Sequence, residues 1–392
     1  MRRTLYGPDH ESFRAAFRAF LDHEAVPKIE SWERAGTPDR DFFVKAGEAG
    51  YLGFELPTEF GGLGVQDFRY NAVMAEEVVF AEIAGDMFAM QNDIIVSYLV
   101  NLTTSEQKAR WLPLFTGGRG VTALAMTEPG AGSDLGSITT SARRVDDMLV
   151  LNGSKTFITS GATCDLAIVL ARTGEKDGRG TSLIVVESGT AGFERGRAMS
   201  KIGRKGQDTA ELFFSDCRVP VTNVIGEPGR GFSHAIANLP RERLSIAVTA
   251  IASARHAFKL AVDHATQRVA FGAPLANLQS IRMTLAELHT DIAVMQHYVD
   301  SCILAVNTSE LTAEEAAGAK YKATDLQWDV VDRVLQLFGG YGYMEEYPIA
   351  RIWRDARVQR IYGGANEVMK DLIGRSIVNG AGAPARSGDQ PR

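Results

Sequence analysis

Two features of this chain are able to do chemistry: one carboxylate and one glycine-rich loop. Glu242 follows Pro240 and stands between Arg241 and Arg243. A carboxylate serves as a general base once its surroundings lift its pKa from about 4.3 towards the operating pH. Taken alone, a Glu just after a Pro and flanked by arginines reads as the first turn of a solvated helix, where acidic side chains suit the macrodipole. The loop is Met126-Thr127-Glu128-Pro129-Gly130-Ala131-Gly132-Ser133-Asp134. Its glycines let backbone approach a flat ligand closely, and Thr127 and Ser133 offer hydroxyls and amides. It is not a dinucleotide fingerprint, because the third glycine is missing and strand-and-turn texture follows it instead of a helix. Alone it is a tight loop of the kind that Pro/Gly clusters make. Arg268 alone is a helix-end arginine complementing a C-terminal dipole. Cys164, Cys217 and Cys302 are far apart and show no metal-ligand spacing. Their odd number, with no paired pattern, fits a reducing compartment and predicts no metal site.

These residues must be positioned by three regions of different texture. Residues 1–120 predict a helical domain: apolar residues recur at helical spacing over 11–27, at Phe13, Phe17, Phe20 and Leu21, and again over 70–84 and 92–102. Residues 121–230 change period. Short apolar runs at 121–126, 148–153, 166–170 and 182–186 are separated by turn residues, which predicts a small antiparallel β domain or barrel. Residues 231–380 are helical again, with long segments over 242–269, 278–306 and 313–338 and shorter ones over 349–358 and 366–378. Long helices with short connections predict an antiparallel bundle. The fold class is therefore α+β: an N-terminal helical domain, a middle β-barrel-like domain and a C-terminal four-helix bundle. Residues 381–392 are rich in Gly, Ala, Pro and polar groups and predict a disordered tail.

Composition narrows the function classes. The chain has 392 residues, a net charge of −6 and 45% hydrophobic residues. That balance argues against a general nucleic-acid binder. No stretch approaches the roughly 18 apolar residues of a membrane span, and no apolar run follows the basic N-terminus as a signal peptide requires. The expectation is a cytoplasmic protein with no membrane partner.

Several ordered motifs carry a family resemblance over residues 10–380. Thr127-Glu128-Pro129-Gly130-Ala131-Gly132-Ser133-Asp134 resembles the flavin loop of the acyl-CoA dehydrogenase family. Residues 153–161 resemble its second flavin strand, and 205–212 the end of its β domain. Residues 268–272, 336–342 and 361–367 resemble its C-terminal signatures. Leu239-Pro240-Arg241-Glu242-Arg243-Leu244 and the Gly363-Gly364-Ala365-Asn366-Glu367 loop are most similar to the long-chain branch.

The resemblance implies FAD as cofactor and acyl-CoA as substrate. It places Met126, Thr127, Gly132, Ser133, Phe157 and Thr159 against the flavin, with Phe157 beside the isoalloxazine where many relatives have Trp. It assigns the FAD adenosine and pyrophosphate to Arg268, Phe271, Gln279, Gln336, Gly339 and Gly340, shared between neighbouring subunits. A guanidinium suits that task because it pairs with phosphate oxygens bidentately. Ala365, where many relatives carry Thr, and Glu367 complete the cofactor set. Ser133, Arg243 and Tyr362 would contact the substrate.

Many relatives place the catalytic Glu directly after the Tyr that matches Tyr362. This chain has Gly363 there. The long-chain and isovaleryl branches place it instead at the position matching Glu242, at the start of a long helix. Glu242 is thus the implied base, removing the α-proton while the β-carbon passes hydride to flavin N5, and trans-2-enoyl-CoA is the implied product. The Gly363 amide would remain as a donor to the developing enolate oxygen. Electrons would leave to an electron-transferring flavoprotein, and a homotetramer is the implied assembly. Two other readings stay open at this point: an acyl-CoA oxidase or flavin monooxygenase of the same fold, and a non-catalytic FAD or acyl-CoA binding scaffold.

Overall fold

The computed structural model describes residues 3–85, 87–174 and 180–380; the expected tail over 381–392 lies outside the described residues. The chain runs helices, then a sheet, then helices. The first region holds α1 (Pro8–Glu24), α2 (Ile29–Ala35), α3 (Arg40–Glu48), α4 (Phe68–Phe80), α5 (Val96–Asn101) and α6 (Ser105–Thr116). Local signals set several of these boundaries. Asp67 caps α4 by accepting from Arg69 N, and Thr104 with Gln107 forms a capping box at the start of α6. Phe17, Leu21, Trp32, Phe42 and Phe88 bury their side chains in one aromatic-rich core.

The segment before α5 departs from the ordinary helix that the apolar spacing predicts. Ala89–Ile95 is a π-helix. Its wider turn lets Gln91, Asn92 and Asp93 all face inward. Each is tied to a neighbour: Gln91 bonds the backbone of Thr122 in both directions, and Asn92 accepts from Gly53 N at 2.9 Å and donates to Tyr51 O at 2.9 Å.

The middle region has β1 (Thr122–Ala125), β2 (Ser141–Val145), β3 (Met148–Thr159), β4 (Leu166–Arg172), β5 (Thr181–Glu187), β6 (Phe193–Arg195), β7 (Thr209–Pro220) and β8 (Val224–Ile225). Their order across the sheet is β6-β7-β3-β2-β4-β5-β8, with β1 beside β4. The pairing is mostly antiparallel, as the short runs and turns predict, but β1 lies parallel to β4. β4 and β5 are buried almost end to end, which explains their continuous apolar sequences.

The last region begins with α7 (Gly231–Gln267), followed by the hairpin β9 (Val269–Ala270) and β10 (Ala273–Pro274). Then come α8 (Gln279–Asn307), α9 (Ala313–Phe338), α10 (Pro348–Ala356) and α11 (Asn366–Val378). A ladder of small and apolar residues on α7, from Leu244 through Ala247, Val248, Ile251 and Ala254 to Ala261, packs against α8 and α9. The helix starts at Gly231, well before the expected residue 242, and Pro240 lies inside it. Glu242 is therefore an interior helix residue, not a first-turn one. Among the described residues, no helix is long and apolar enough to cross a membrane.

Candidate active site

Glu242 is buried, with 5% of its surface exposed. The solvated reading of its setting does not hold. Arg243 is buried beside it, and Arg241 crosses to the N-terminal region, where it pairs with Glu55 and donates to Asp93 O at 3.1 Å. One turn further along α7, Ser245 donates to the carboxylate of buried Asp93, which also accepts from Asn71 Nδ2 at 2.7 Å. The stretch around Glu242 is thus pinned to the π-helix from both sides.

Burial pushes the Glu242 carboxyl up to about 7. A hydrogen bond from Tyr98 and the charge of Arg243 act the other way and limit the rise. Tyr98, on α5, is fully buried and donates to Glu242 Oε1 at 3.0 Å. A carboxylate poised near neutrality can take a proton in water at physiological pH.

Gly363 stands beside the turn of α7 that carries this carboxylate, on two counts. Its carbonyl accepts from Arg243 Nε at 3.4 Å, and a Cβ built on it would meet Ile246 Cδ1 at 2.4 Å. Ile246 lies one turn past Glu242, on the same face of α7. Gly363 also has φ +64, which side-chain-bearing residues adopt at a cost. A carboxylate at this position would have to displace Ile246. The loop is held from below by Lys320, a fully buried lysine that donates to Gly364 O at 2.8 Å and to Asn366 Oδ1 at 2.9 Å. Burial pushes that lysine down to about 7, helped by the nearby Arg243 charge. Tyr362 lies under the guanidinium of Arg204, 5.5 Å from its ring centre. Ala365 caps α11 without a side-chain bond, and Glu367 is exposed in its first turn.

A second group of candidates gathers on the sheet. Residues 126–134 form a tight turn closed by mutual bonds between Glu128 and Ala131. Thr127 O accepts from Thr156 N at 2.9 Å, which sets the loop against β3. Glu128 anchors it from inside. Its buried carboxylate accepts from Lys155 Nζ at 2.8 Å, Thr139 N at 2.6 Å and Thr140 N at 2.9 Å. Burial alone would raise its pKa, but Lys155 and these donors together hold it down at about 2. Lys155 also donates to Met126 O at 3.0 Å. A β-bulge between Lys155 and Ile158 then turns Phe157 outward with φ +57, leaving the ring 68% exposed. Thr159 pairs with Thr209 just beyond. An outward aromatic face, the hydroxyls of Thr127 and Ser133, and open space around Gly130 and Gly132 suit a flat, hydrogen-bonding ligand such as a flavin ring.

The third group surrounds the end of α7. Arg268, Gln336, Gly339 and Gly340 line one open cleft, together with Tyr341, over which the Arg268 guanidinium lies at 5.8 Å. Gln279 opens α8, and Phe271 projects from the β9–β10 hairpin with 96% of its surface exposed. An arginine beside glycine backbone suits a phosphate-bearing group.

Sequence reasoning missed Tyr98, Asp93, Lys155 and Lys320. Each is a polar side chain brought to the site by burial next to a residue distant in sequence. Glu128 and Lys155 had a local signal, since both sit within the flavin-like segments.

Three family models match in order: acyl-CoA dehydrogenase, N-terminal domain, over residues 7–119; middle domain, over 123–217; and C-terminal domain, over 229–378. The chain is 43% identical over 380 residues to the mitochondrial long-chain specific acyl-CoA dehydrogenase of Rattus norvegicus, covering 96% of this chain and 88% of that one. It is 35% identical over 368 residues to an acyl-CoA dehydrogenase of Bacillus subtilis (strain 168), covering 94% and 97%. Among solved structures, an acyl-CoA dehydrogenase from Geobacillus kaustophilus matches with a TM-score of 0.93 and 43% identity, over 95% of this chain and 98% of that one.

Proposed function

Because the chain belongs to the acyl-CoA dehydrogenase family, whose members are oxidoreductases acting on a CH–CH bond, we propose that it desaturates an acyl-CoA to the trans-2-enoyl-CoA with Glu242 as base. The observation that carries this reading is the buried Glu242 carboxyl, lifted to about 7 and aimed by Tyr98. FAD, the cofactor of this family, supplies the hydride acceptor for the β-carbon when bound.

The chain's own residues divide the remaining work. Glu242 takes the α-proton at a carboxylate oxygen. The backbone N–H of Gly363 donates to the thioester oxygen as negative charge develops there, and Lys320 fixes the loop that presents it. Thr127, Ser133, Phe157 and Thr159, with the backbone of Met126 and Gly132, would hold the flavin ring. Arg268, Gln336, Gly339 and Gly340 would hold the pyrophosphate and adenosine, with Phe271, Gln279, Ala365 and Glu367 completing the cradle. Arg243, Tyr362 and Ser133 would orient the thioester and CoA.

A Phe271 ring that is 96% exposed at a hairpin tip supports a neighbouring subunit covering that site, and a homotetramer is the proposed assembly. The proposed electron acceptor is an electron-transferring flavoprotein, and the proposed compartment is the cytoplasm.

The test is anaerobic titration of the purified yellow protein with octanoyl-, palmitoyl- and isovaleryl-CoA, beside Glu242→Gln. Flavin bleaching by a thioester in the wild type, absent in the variant, supports the reaction and the base. Bleaching of the variant at the wild-type rate would remove Glu242 from the role.

A further inference from the structure

A cavity of about 70 Å³ lies among α4, α7, α9 and α10, and Arg204, whose guanidinium lies over Tyr362, forms part of its wall. That volume exceeds what a single water needs, by several fold. Its wall is more polar than the end of a hydrocarbon pocket requires. Thr249 and Ser253 line it from α7, Gln327 from α9 and Gln359 from the segment leading to Tyr362. Gln327 and Gln359 are each 1% exposed, and the side-chain oxygens of both have no hydrogen-bond partner among the described residues. Leaving two buried amide oxygens unbonded costs free energy in a folded chain. The charged groups of the wall have partners: Arg351 donates to Glu82 at 2.7 Å, Glu33 pairs with Arg354 at 3.1 Å, the Arg204 guanidinium lies over Tyr362, and the Asp355 carboxylate accepts from Arg204 N. What the cavity offers an entering group is therefore hydrogen bonds, not an ion pair.

The cavity is in line with the base. Thr249 and Ser253 follow Glu242 by seven and eleven residues on one unbroken helix, so each lies within about 20° of it, on opposite sides, and all three share a face about 40° wide. They lie roughly 10 and 16 Å further along α7. Phe88 and Ala89, also in the wall, begin the π-helical segment that leads to Tyr98. Gln359 precedes Tyr362 and Gly363 in the loop beside the base. The elements that bracket Glu242 thus also bracket the cavity. An extended acyl chain advances about 1.3 Å per carbon, so it reaches this depth roughly eight to thirteen carbons beyond Cα.

Resting on the dehydrogenase reading above, we infer that this cavity is the far end of the acyl pocket and that it selects a chain bearing a hydroxyl near its tenth carbon past Cα. A hydroxyl has one hydrogen to donate, so it can satisfy the side-chain oxygen of Gln327 or of Gln359, whereas a plain methylene chain leaves both unbonded.

The test compares 12-hydroxydodecanoyl-CoA with dodecanoyl-CoA, using the FAD-loaded protein and following flavin bleaching and kcat/KM. The wild type is expected to favour the hydroxy chain by about tenfold, the size of one net hydrogen bond. In the double variant Gln327→Leu/Gln359→Leu the preference should vanish or reverse, and at least one of the single variants should weaken it. A wild type that uses the plain chain equally well or better overturns the inference without touching the dehydrogenase reading. So does a preference that survives in the double variant. The wild-type comparison stands by itself if a variant fails to fold. If neither thioester, nor any in the octanoyl-to-palmitoyl set, bleaches the flavin, the dehydrogenase reading falls and takes this inference with it.

Discussion

Tyr98 on α5 donates its hydroxyl hydrogen to Oε1 of Glu242 on α7 across 3.0 Å, joining residues 144 apart in sequence. The bond favours the ionised carboxylate, while burial favours the neutral acid. Their balance sets the Glu242 carboxyl near neutrality. Tyr98→Phe removes the donor and keeps the ring. The limb of the kcat/KM profile that reports Glu242 is expected to move up by about one to two pH units, since a hydrogen bond to a charged group is worth about 1.5–3 kcal/mol. At pH 9 the variant should approach wild-type activity. A profile that falls in height at every pH without shifting would show that Tyr98 acts on packing alone.

Glu242 also links stability to pH. Its folded pKa, about 7, lies above the ordinary 4.5 of an unfolded Glu. Between these values the native state binds the extra proton, so stability falls as pH rises from 4.5 through 7. Above pH 7 the full cost of an ionised buried carboxylate is present. Glu242→Gln carries no such charge. It is expected to be inactive yet more stable than the wild type at pH 8, by up to about 3 kcal/mol, with the advantage gone near pH 4.5. Urea unfolding at the two pH values checks this. An equal effect at both would mean that the carboxyl is not buried as an acid.

How much of this could be read from the sequence differs element by element. The bounds of α9 and α11 coincide with the apolar spacing because Thr312 caps one and the loop glycines precede the other. The start of α7 was not legible, because Pro240 resembles a helix opening when its neighbours are unseen; in the fold it lies inside a helix packed on both sides. The π-turn before α5 was invisible for a similar reason. It exists to turn Gln91, Asn92 and Asp93 inward, and their partners come from residues 51, 53, 71, 122 and 245. Motifs named the flavin-like loop but not its anchor, since the Lys155–Glu128 pair depends on β3 lying across the loop.

That pair is a further prediction. Lys155 is fully buried and Glu128 nearly so, and removing one partner strands the other. Lys155→Met is expected to cost about 3–5 kcal/mol and to release the loop that Lys155 holds through Met126 O and Glu128. Glu128 is held at about 2, well below its ordinary value, so its contribution is complete above pH 4.5 and fades as the pH falls towards 2. The variant should therefore lose stability most at neutral pH, and it should purify with less bound flavin per chain. Absorbance ratios and thermal melts at pH 7 and pH 4 report both. Unchanged flavin content would show that the loop is held by its backbone bonds without the pair.

Gly363 and Ile246 give the last prediction. The glycine has φ +64, and an added Cβ would stand 2.4 Å from Ile246 Cδ1. Two separate costs follow for Gly363→Ala. The left-handed backbone costs about 1–2 kcal/mol for any L-residue. The contact is with the terminal methyl of a half-buried side chain that can turn aside, so it adds less than the roughly 1–3 kcal/mol of overpacking a tight core. Only the second can be relieved by shortening the neighbour. In a double-mutant cycle, Ile246→Ala should recover part of the loss in the Gly363→Ala background and none of the backbone part. Chemical denaturation measures the coupling. Strict additivity of the two changes would mean that Ile246 does not bar a side chain at 363, and that the absence of a carboxylate there has a cause other than space.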